Sequence, residues 1–291
     1  MQFTVKPWRV GRLCHVLLRL MLLLMSTEAM AVQALHYFPA GPIYEYRWKV
    51  LELALAHASL ADTPTLLPFA EEASQDRAMA LLQGGGGIDV IALGVNRERE
   101  AHMLPVKIDI SQGMVGYRVL IIRSATQEQF QRVGLAELRM LKFGLNEAWA
   151  DVPIMEANGL HVVKASGYEN LFTMLAAGRF DAFPRGLNEA ARELRQRRLQ
   201  FPQLVLEPSL ALYFPYPIYF WVRKDNLALA QTIERGLKLA LADGSMRRLF
   251  ERYYAKEIAE LRAHPRRVFQ LGNPVLPEGE PLPDTSWWWR H

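Results

Sequence analysis

The fold is decided by the stretch Met174–Ala190, MLAAGRFDAFPRGLNEA, which combines the end of a helix, a buried strand and the start of another helix. Gly178 suits the helix end, because glycine readily adopts the left-handed backbone that closes helices. The apolar run 180–183 predicts a strand that Pro184 and Gly186 terminate. The polar side chains that follow therefore gather at a strand's carboxyl end, the edge where open α/β sheets bind ligands.

A comparable unit occurs earlier in the chain. Met79, Leu81 and Leu82 form a helical stripe, glycines occupy 84–87, and 88–93 is an apolar strand. The two units lie about ninety residues apart, which is too wide for a solenoid repeat. The spacing instead favours two similar lobes.

The first part of the chain alternates strands and helices. We predict strands at 34–38, 64–69 and 88–93, with helices beginning at Tyr44 and spanning 71–83. An alternation of this kind is typical of a parallel sheet with right-handed crossovers.

Residues 1–31 have the features of a secretory signal peptide. An apolar run from Leu20 to Met25 precedes the small-x-small site Ala29-Met30-Ala31, and cleavage is expected after Ala31. A single membrane anchor is the alternative, although the apolar run is far shorter than the ~20 residues that a spanning helix needs. Cys14 would leave with the signal, so the mature chain would contain no cysteine. The prediction is a periplasmic protein without disulfides.

The charge balance gives no reason to expect nucleic-acid binding. The net charge of the whole chain is 34 − 30 = +4. Residues 1–31 contain four basic residues and one acidic residue, Glu28, so their loss leaves a net charge of 30 − 29 = +1. Nucleic-acid binding would require a basic face or stripe. Four arginines do cluster in the sequence, but Glu193 interrupts them, which favours a solvated helix face: Arg192, Arg195, Arg197 and Arg198.

Three successive motifs carry a family resemblance. They are N-R-E-R from Asn96, V-K-I-D-I-S from Val106 and V-L-I-I-R from Val119. This succession resembles T-x-E-R, V-D-F-S and L-V-V-x-K in periplasmic solute-binding proteins of the two-lobed amino-acid-binding superfamily, the family 3 extracellular solute-binding proteins. Gly178, with Asp181 and Ala182, resembles the family's G-x-x-D-A. The resemblance covers about 34–256 and marks the chain as a divergent member.

The resemblance implies a two-lobed α/β fold of type II, in which each lobe is a mostly parallel sheet flanked by helices. Residues 32–123 and 217–262 would form the first lobe and 124–216 the second, with two hinge crossings between them. The proline-rich tail 263–291 lies outside the resemblance. Either it straps onto the protein's own surface or it binds a partner.

Ligand-binding residues follow partly from the resemblance and partly from residue type. Asn96 stands where the family has a ligand-bonding threonine or serine, and Arg99 matches the arginine after it. Asn146 matches the turn that touches the ligand's acidic group, with an ordinary helix cap as the alternative. Tyr44 is an aromatic candidate at the mouth of the first strand, and Trp149 would either stack on a ligand or pack internally.

The departures from the family pattern concern charge. Amino-acid binders usually carry an acidic residue soon after G-x-x-D-A, whereas this chain has Pro184 and Arg185 there. Arg185 and Arg118 favour an anionic ligand, because a guanidinium forms two parallel bonds to a carboxylate or phosphate. Glu189 would restore an amino-acid site if it replaced the missing carboxylate. Alternatively, Arg185 pairs with Glu189 one helical turn along and meets no ligand.

These observations favour reversible binding of a small polar solute, anionic or amino-acid-like, for ABC-type uptake. Ligand binding would close the hinge, since contacts from both lobes coexist only in the closed state. We expect a monomer without cofactor or metal, whose partner is an inner-membrane permease or a sensor. A sensory protein reporting to a membrane partner is one alternative. A periplasmic dehydratase-like enzyme, with Glu147 or Glu189 as general acid, is another.

Overall fold

The computed structural model describes residues 34–58, 63–282, 284–286 and 288. The predicted signal peptide, residues 1–31, and its cleavage site lie outside the described residues. Within the described ranges, no helix is both long enough and apolar enough to cross a membrane.

Strands and helices alternate along most of the chain. The strands are β1 (Ala34–Tyr37), β2 (Thr65–Pro68), β3 (Ile91–Gly94), β4 (Met103–Val106), β5 (Tyr117–Arg123), β6 (Lys142–Asn146), β7 (His161–Ala165), β8 (Ala182–Gly186), β9 (Leu204–Tyr213), β10 (Ile218–Arg223) and β11 (Arg267–Gln270). The α-helices are α1 (Glu45–Ala58), α2 (Gln75–Gly84), α3 (Arg97–His102), α4 (Gln127–Gln131), α5 (Leu135–Met140), α6 (Asp151–Ala157), α7 (Tyr168–Ala176), α8 (Leu187–Arg197), α9 (Leu227–Ala242), α10 (Ser245–Tyr253) and α11 (Ala255–Ala263).

The strands form a two-stranded and a three-stranded sheet, which a single bridge connects and which together we call the first sheet, and a six-stranded second sheet. In the first, β1 pairs in parallel with β2, a bridge from Tyr37 to Val90 connects β1 to the chain before β3, and β10 runs antiparallel between β3 and β4. In the second, β6 pairs in parallel with β7 and β8, and β5 runs antiparallel between β8 and β9. The orders β2-β1-β3-β10-β4 and β7-β6-β8-β5-β9 correspond strand by strand. This confirms the expected two α/β lobes, which we call lobe 1 and lobe 2.

The stretch that opened the sequence analysis has the predicted succession of helix, strand and helix, but the strand is shifted. It was expected at 180–183 and to end at Pro184 and Gly186, whereas β8 spans Ala182–Gly186 and includes both residues. Helix α7 ends at Ala176, Gly178 has φ of 72° in the left-handed region, and β8 leads directly into α8. Glycine fits this position because it adopts that backbone without the steric cost of a Cβ atom. The carboxyl end of β8 thereby brings Arg185 and Glu189 to the edge of the second sheet.

The first passage between the sheets, residues 107–116, comes earlier than expected. Strand β5 was placed at the end of lobe 1, but it pairs with β8 on one side and with β9 on the other, inside the second sheet. The boundary expected after residue 123 would therefore assign β5, a strand of the second sheet, to lobe 1. The second passage is the short segment 214–217, between β9 and β10.

The carboxylate of Asp109 joins the first passage to the start of β10. Its Oδ1 accepts hydrogen bonds from the backbone N–H of Ser111 at 2.9 Å and of Ile218 at 2.9 Å, and its Oδ2 accepts one from Gly113 at 2.8 Å. Burial raises the pKa of Asp109, while these bonds act in the opposite direction. The aspartate of the V-K-I-D-I-S motif thus holds the hinge rather than a ligand.

The C-terminal tail packs on both lobes of the chain itself. Strand β11 extends the second sheet in parallel beside β9, and the Nδ2 of Asn273 donates to the carbonyl of Pro215 in the second passage at 2.8 Å. On lobe 1, Glu280 is only 1% exposed as a side chain and accepts hydrogen bonds from Tyr219 and Lys107. Of the two expectations for the tail, its described residues agree with the strap.

Candidate functional site

A cavity of about 240 Å³ lies between the two sheets. Both lobes and both passages contribute to its wall. Lobe 1 contributes Ala40, Ile43, Tyr44, Tyr46, Arg47, Gln75, Leu93, Gly94 and Arg99, lobe 2 contributes Arg118, Gly186, Asn188 and Glu189, and the remaining lining residues are Ser111, Val115, Tyr216, Ile218 and Tyr254. A shallower depression of about 670 Å³ adjoins it and shares Ile43, Tyr44, Arg118 and Glu189.

Arg99 enters the cavity from the first turns of α3. Its Nη1 donates to the carbonyl of Gly94 at 2.6 Å, which fixes the guanidinium beside the end of β3. The helix begins here because the Oδ1 of Asn96 accepts a hydrogen bond from the backbone of Glu98 at 2.7 Å, as an N-cap does. Asn96 is therefore the cap of α3 and is not among the residues that line the cavity, so its contact with a ligand stays a prediction.

Arg47 reaches the same cavity from the first turn of α1. Its Nη1 donates to the carbonyl of Ala92 at 2.8 Å, and its guanidinium lies 4.2 Å from the centre of the Tyr44 ring. Burial lowers the pKa of Arg47, since desolvation disfavours its charged form. The sequence analysis missed Arg47, although its position three residues after Tyr44 on one helix face was a usable signal.

Arg118 lines the cavity but is bound by a carboxylate of its own chain. Its Nε donates to Oδ1 of Asp151 at 2.6 Å and its Nη2 to Oδ2 at 3.1 Å, a bidentate pair with both side chains buried. Burial opposes the charge of Arg118, but Asp151 is close enough to raise its pKa. The predicted ligand anchor thus already holds an anion, and the sequence analysis did not identify Asp151 as that partner.

Arg185 is bound in a similar way within lobe 2. Glu193 accepts from its Nε at 2.8 Å and from its Nη2 at 2.7 Å, and a carboxylate oxygen of Glu189 lies 2.8 Å from the same Nη2. Its guanidinium also lies 4.6 Å from the centre of the Trp149 ring. These partners raise the pKa of Arg185 despite its burial. The alternative that Arg185 pairs with Glu189 is what the structure contains, and Arg185 lines the shallower depression rather than the cavity.

The remaining candidates occupy different positions. Trp149 stacks on Phe183 with the ring centres 6.1 Å apart and lines the depression, so it is both packed and accessible. Asn146 does not cap the following helix, which begins at Asp151. Its Oδ1 instead accepts from the backbone of Ala148 at 3.0 Å in a turn. Tyr44 and Glu189 line both hollows, as a ligand contact would require.

Positive charge therefore predominates in the cavity. Glu189 and Arg118 each have an oppositely charged partner, whereas Arg47 and Arg99 have no carboxylate oxygen within 4 Å among the residues that the structure describes. Tyrosine and serine hydroxyls complete a wall that can donate hydrogen bonds.

Solved structures with a similar fold include a solute-binding protein and a periplasmic domain. An ancestral arginine-binding protein bound to arginine matches with a TM-score of 0.51 and 15% identity, over 76% of this chain and 97% of that one. The periplasmic VFT2 domain of BvgS from Bordetella pertussis matches with a TM-score of 0.52 and 16% identity, over 76% and 92%. The fold is that of the two-lobed solute-binding proteins.

GshT of Streptococcus mutans, from a study of glutathione import, also has this solute-binding fold. It matches with a TM-score of 0.50 and 13% identity, over 77% of this chain and 94% of that one. No protein-family model and no curated protein matches the sequence. These structural matches confirm the fold that the three sequence motifs predicted.

Proposed function

We propose that this chain reversibly binds a small anionic solute in the cavity between its lobes. The observation that carries the proposal is that both lobes and both passages line one cavity, into which Arg99 extends without a carboxylate partner among the described residues. A ligand that contacts both lobes stabilises the conformation in which they are close together.

The charges of the cavity favour an anion over a cation. A guanidinium removed from water costs free energy unless an opposite charge accompanies it. Glu189, the carboxylate in the cavity wall, is shared with Arg185. A zwitterionic amino acid remains the alternative ligand, with Glu189 holding its ammonium group.

We infer solute delivery to an inner-membrane permease, from the periplasm after cleavage behind Ala31, as the physiological role. The tail was the feature that suggested a sensory role. Its described residues instead pack against the lobes of this same chain. An enzyme is less well supported. Glu147 is exposed and lies outside the cavity wall, and Glu189 is engaged by Arg185.

A thermal-shift screen of residues 32–291 tests the proposed function. Its panel consists of mono-, di- and tricarboxylates, phosphate esters, amino acids and small peptides. A ligand at about a hundred times its Kd adds roughly 2.7 kcal/mol to the free energy of unfolding. We expect hits among anions and loss of the shift in Arg99→Met.

The matched control is Arg97→Met, two residues earlier in the same helix. Arg97 is exposed, and its hydrogen bond is a long one of 3.5 Å to the carbonyl of Leu276. This variant should keep the full shift. The proposed function is wrong if no anion stabilises the protein, or if Arg99→Met retains the wild-type response.

A further inference from the structure

The two arginines that lack a carboxylate partner are attached to the same strand. Arg47 donates to the carbonyl of Ala92 and Arg99 to the carbonyl of Gly94, two residues further along β3. Carbonyls at positions i and i+2 of a strand point the same way and lie ~7 Å apart. Both guanidinium groups are therefore anchored along the same edge of β3, and both side chains line one cavity.

Each guanidinium retains unused hydrogen-bonding capacity. A guanidinium has five N–H donors, and in the described part of the chain only Nη1 of Arg47 and Nη1 of Arg99 have acceptors. Tyr44 covers one face of Arg47, which supports the side chain without neutralising it. Two neighbouring cations repel each other, and an anion placed between them would relieve that repulsion.

Resting on the proposed function, we propose that Arg47 is a second anion-binding group and that the ligand is a small dianion held at one end by Arg99 and at the other by Arg47. The ~7 Å between the two anchoring carbonyls places both guanidinium groups within reach of one small aliphatic dicarboxylate. A bound carboxylate would also raise the pKa of Arg47 again, opposing the effect of burial.

Titration calorimetry with matched acids tests this inference. The probes are acetate and propionate on one side, and succinate, glutarate and adipate on the other. We expect the dicarboxylates to bind the wild type at least about tenfold more tightly than the monocarboxylates. Arg47→Met should reduce dicarboxylate affinity to the monocarboxylate level.

Lys49→Met is the control, since it removes the same charge from the same helix at an exposed position paired only with Glu52 among the described residues. It should bind like the wild type. Arg47→Lys keeps the charge without the planar fork and should give an intermediate dicarboxylate affinity. Circular dichroism and unfolding curves establish that each variant is folded. If Arg47→Met is unfolded, Arg47→Lys alone decides.

Two outcomes overturn the inference while leaving the proposed function intact. In one, monocarboxylates bind as tightly as dicarboxylates. In the other, Arg47→Met, or Arg47→Lys where Arg47→Met does not fold, keeps the wild-type dicarboxylate affinity. If the wild type binds no anion at all, both the inference and the proposed function fail.

Discussion

Charge pairing decides which arginines remain available in the cleft. Arg118 and Arg185 each contact a carboxylate of lobe 2 through two nitrogen atoms, a geometry that fits a planar guanidinium closely. Arg47 and Arg99 bond instead to backbone carbonyls and form no ion pair with a carboxylate among the described residues. The partner of each arginine therefore decides whether its guanidinium is available to bind an anionic ligand.

The pair of Arg185 with Glu193 gives the protein a predictable response to acid. The Glu193 side chain is only 7% exposed, and burial disfavours its charge, but Arg185 lowers the pKa of Glu193 below the ordinary 4.5. A folded-state pKa below the unfolded value stabilises the protein above pH 4.5, and this contribution is lost as the pH falls through the lowered pKa. Glu193→Gln should cost about 1–3 kcal/mol at pH 7 and flatten the loss of stability on acidification.

Urea unfolding at about pH 7, 5 and 3.5 measures both effects. Glu128→Gln is the control, because Glu128 is exposed and has no ion pair in the described part of the structure. Its curve should follow the wild type at each pH. Parallel losses in Glu193→Gln and wild type from pH 5 to 3.5 would contradict the assignment.

Helix contacts in lobe 1 depend on one close approach. Gly236, in the middle of α9, faces the backbone of α1, where a Cβ atom would lie 1.8 Å from the carbonyl oxygen of Ala54. That oxygen cannot move without displacing α1, which also carries Arg47. The absence of a side chain at Gly236 therefore sets the distance between the two helices.

Gly236→Ala is expected to destabilise the protein by roughly 3 kcal/mol, at the upper end of what overpacking costs. Gly84→Ala provides the comparison, since Gly84 is also helical and a Cβ there would meet nothing within 4 Å. That change should be neutral or stabilising by up to about 1 kcal/mol. Denaturant unfolding of both variants measures the difference, and equal stabilities would rule out the proposed close contact.

The sequence was sufficient for elements whose signals are local. The helix end at Gly178 and the strand after it were predicted, although β8 extends through Pro184 to Gly186 rather than ending at 183. Helix α2 begins at Gln75 rather than Glu71, because the Ser74 side chain accepts the hydrogen bond of Arg77 and starts the helix there. Strand β11 was missed, since its four residues are ordered by pairing with β9, far away in the sequence. Periodicity cannot reveal such a pairing.

The same limit applies to the candidate site. Pairing of Arg185 with Glu189 could be foreseen from their spacing of one helical turn. The partner of Arg118 is Asp151, 33 residues away in another element, and no local pattern connects them. Sequence patterns therefore identified Tyr44 and Glu189 as cavity residues but could not show which arginines are already paired.

At the scale of the whole molecule, the tail connects the two lobes in addition to the two hinge crossings that were expected from the sequence. It joins the second sheet through β11, bonds to Pro215 in the second passage, and reaches lobe 1 through Glu280. Trp288 is 1% exposed, donates from Nε1 to the carbonyl of Gln112 at 2.9 Å, and packs against Tyr117. Opening of the lobes must therefore bend the tail or break one of these contacts.

We expect the tail to restrict hinge opening, and Trp288→Ala to relax that restriction. Removing a buried tryptophan costs about 3–5 kcal/mol of stability, and the freed segment should allow a wider range of lobe separations. Spin labels at Glu72→Cys in lobe 1 and Arg195→Cys in lobe 2, with Cys14→Ser, report this range by double electron–electron resonance. Leu282→Ala is the control, because Leu282 lies in the same tail at 60% exposure and should leave a narrow distribution. If Trp288→Ala is folded and its distance distribution matches the wild type, the tail stabilises lobe packing without limiting the hinge.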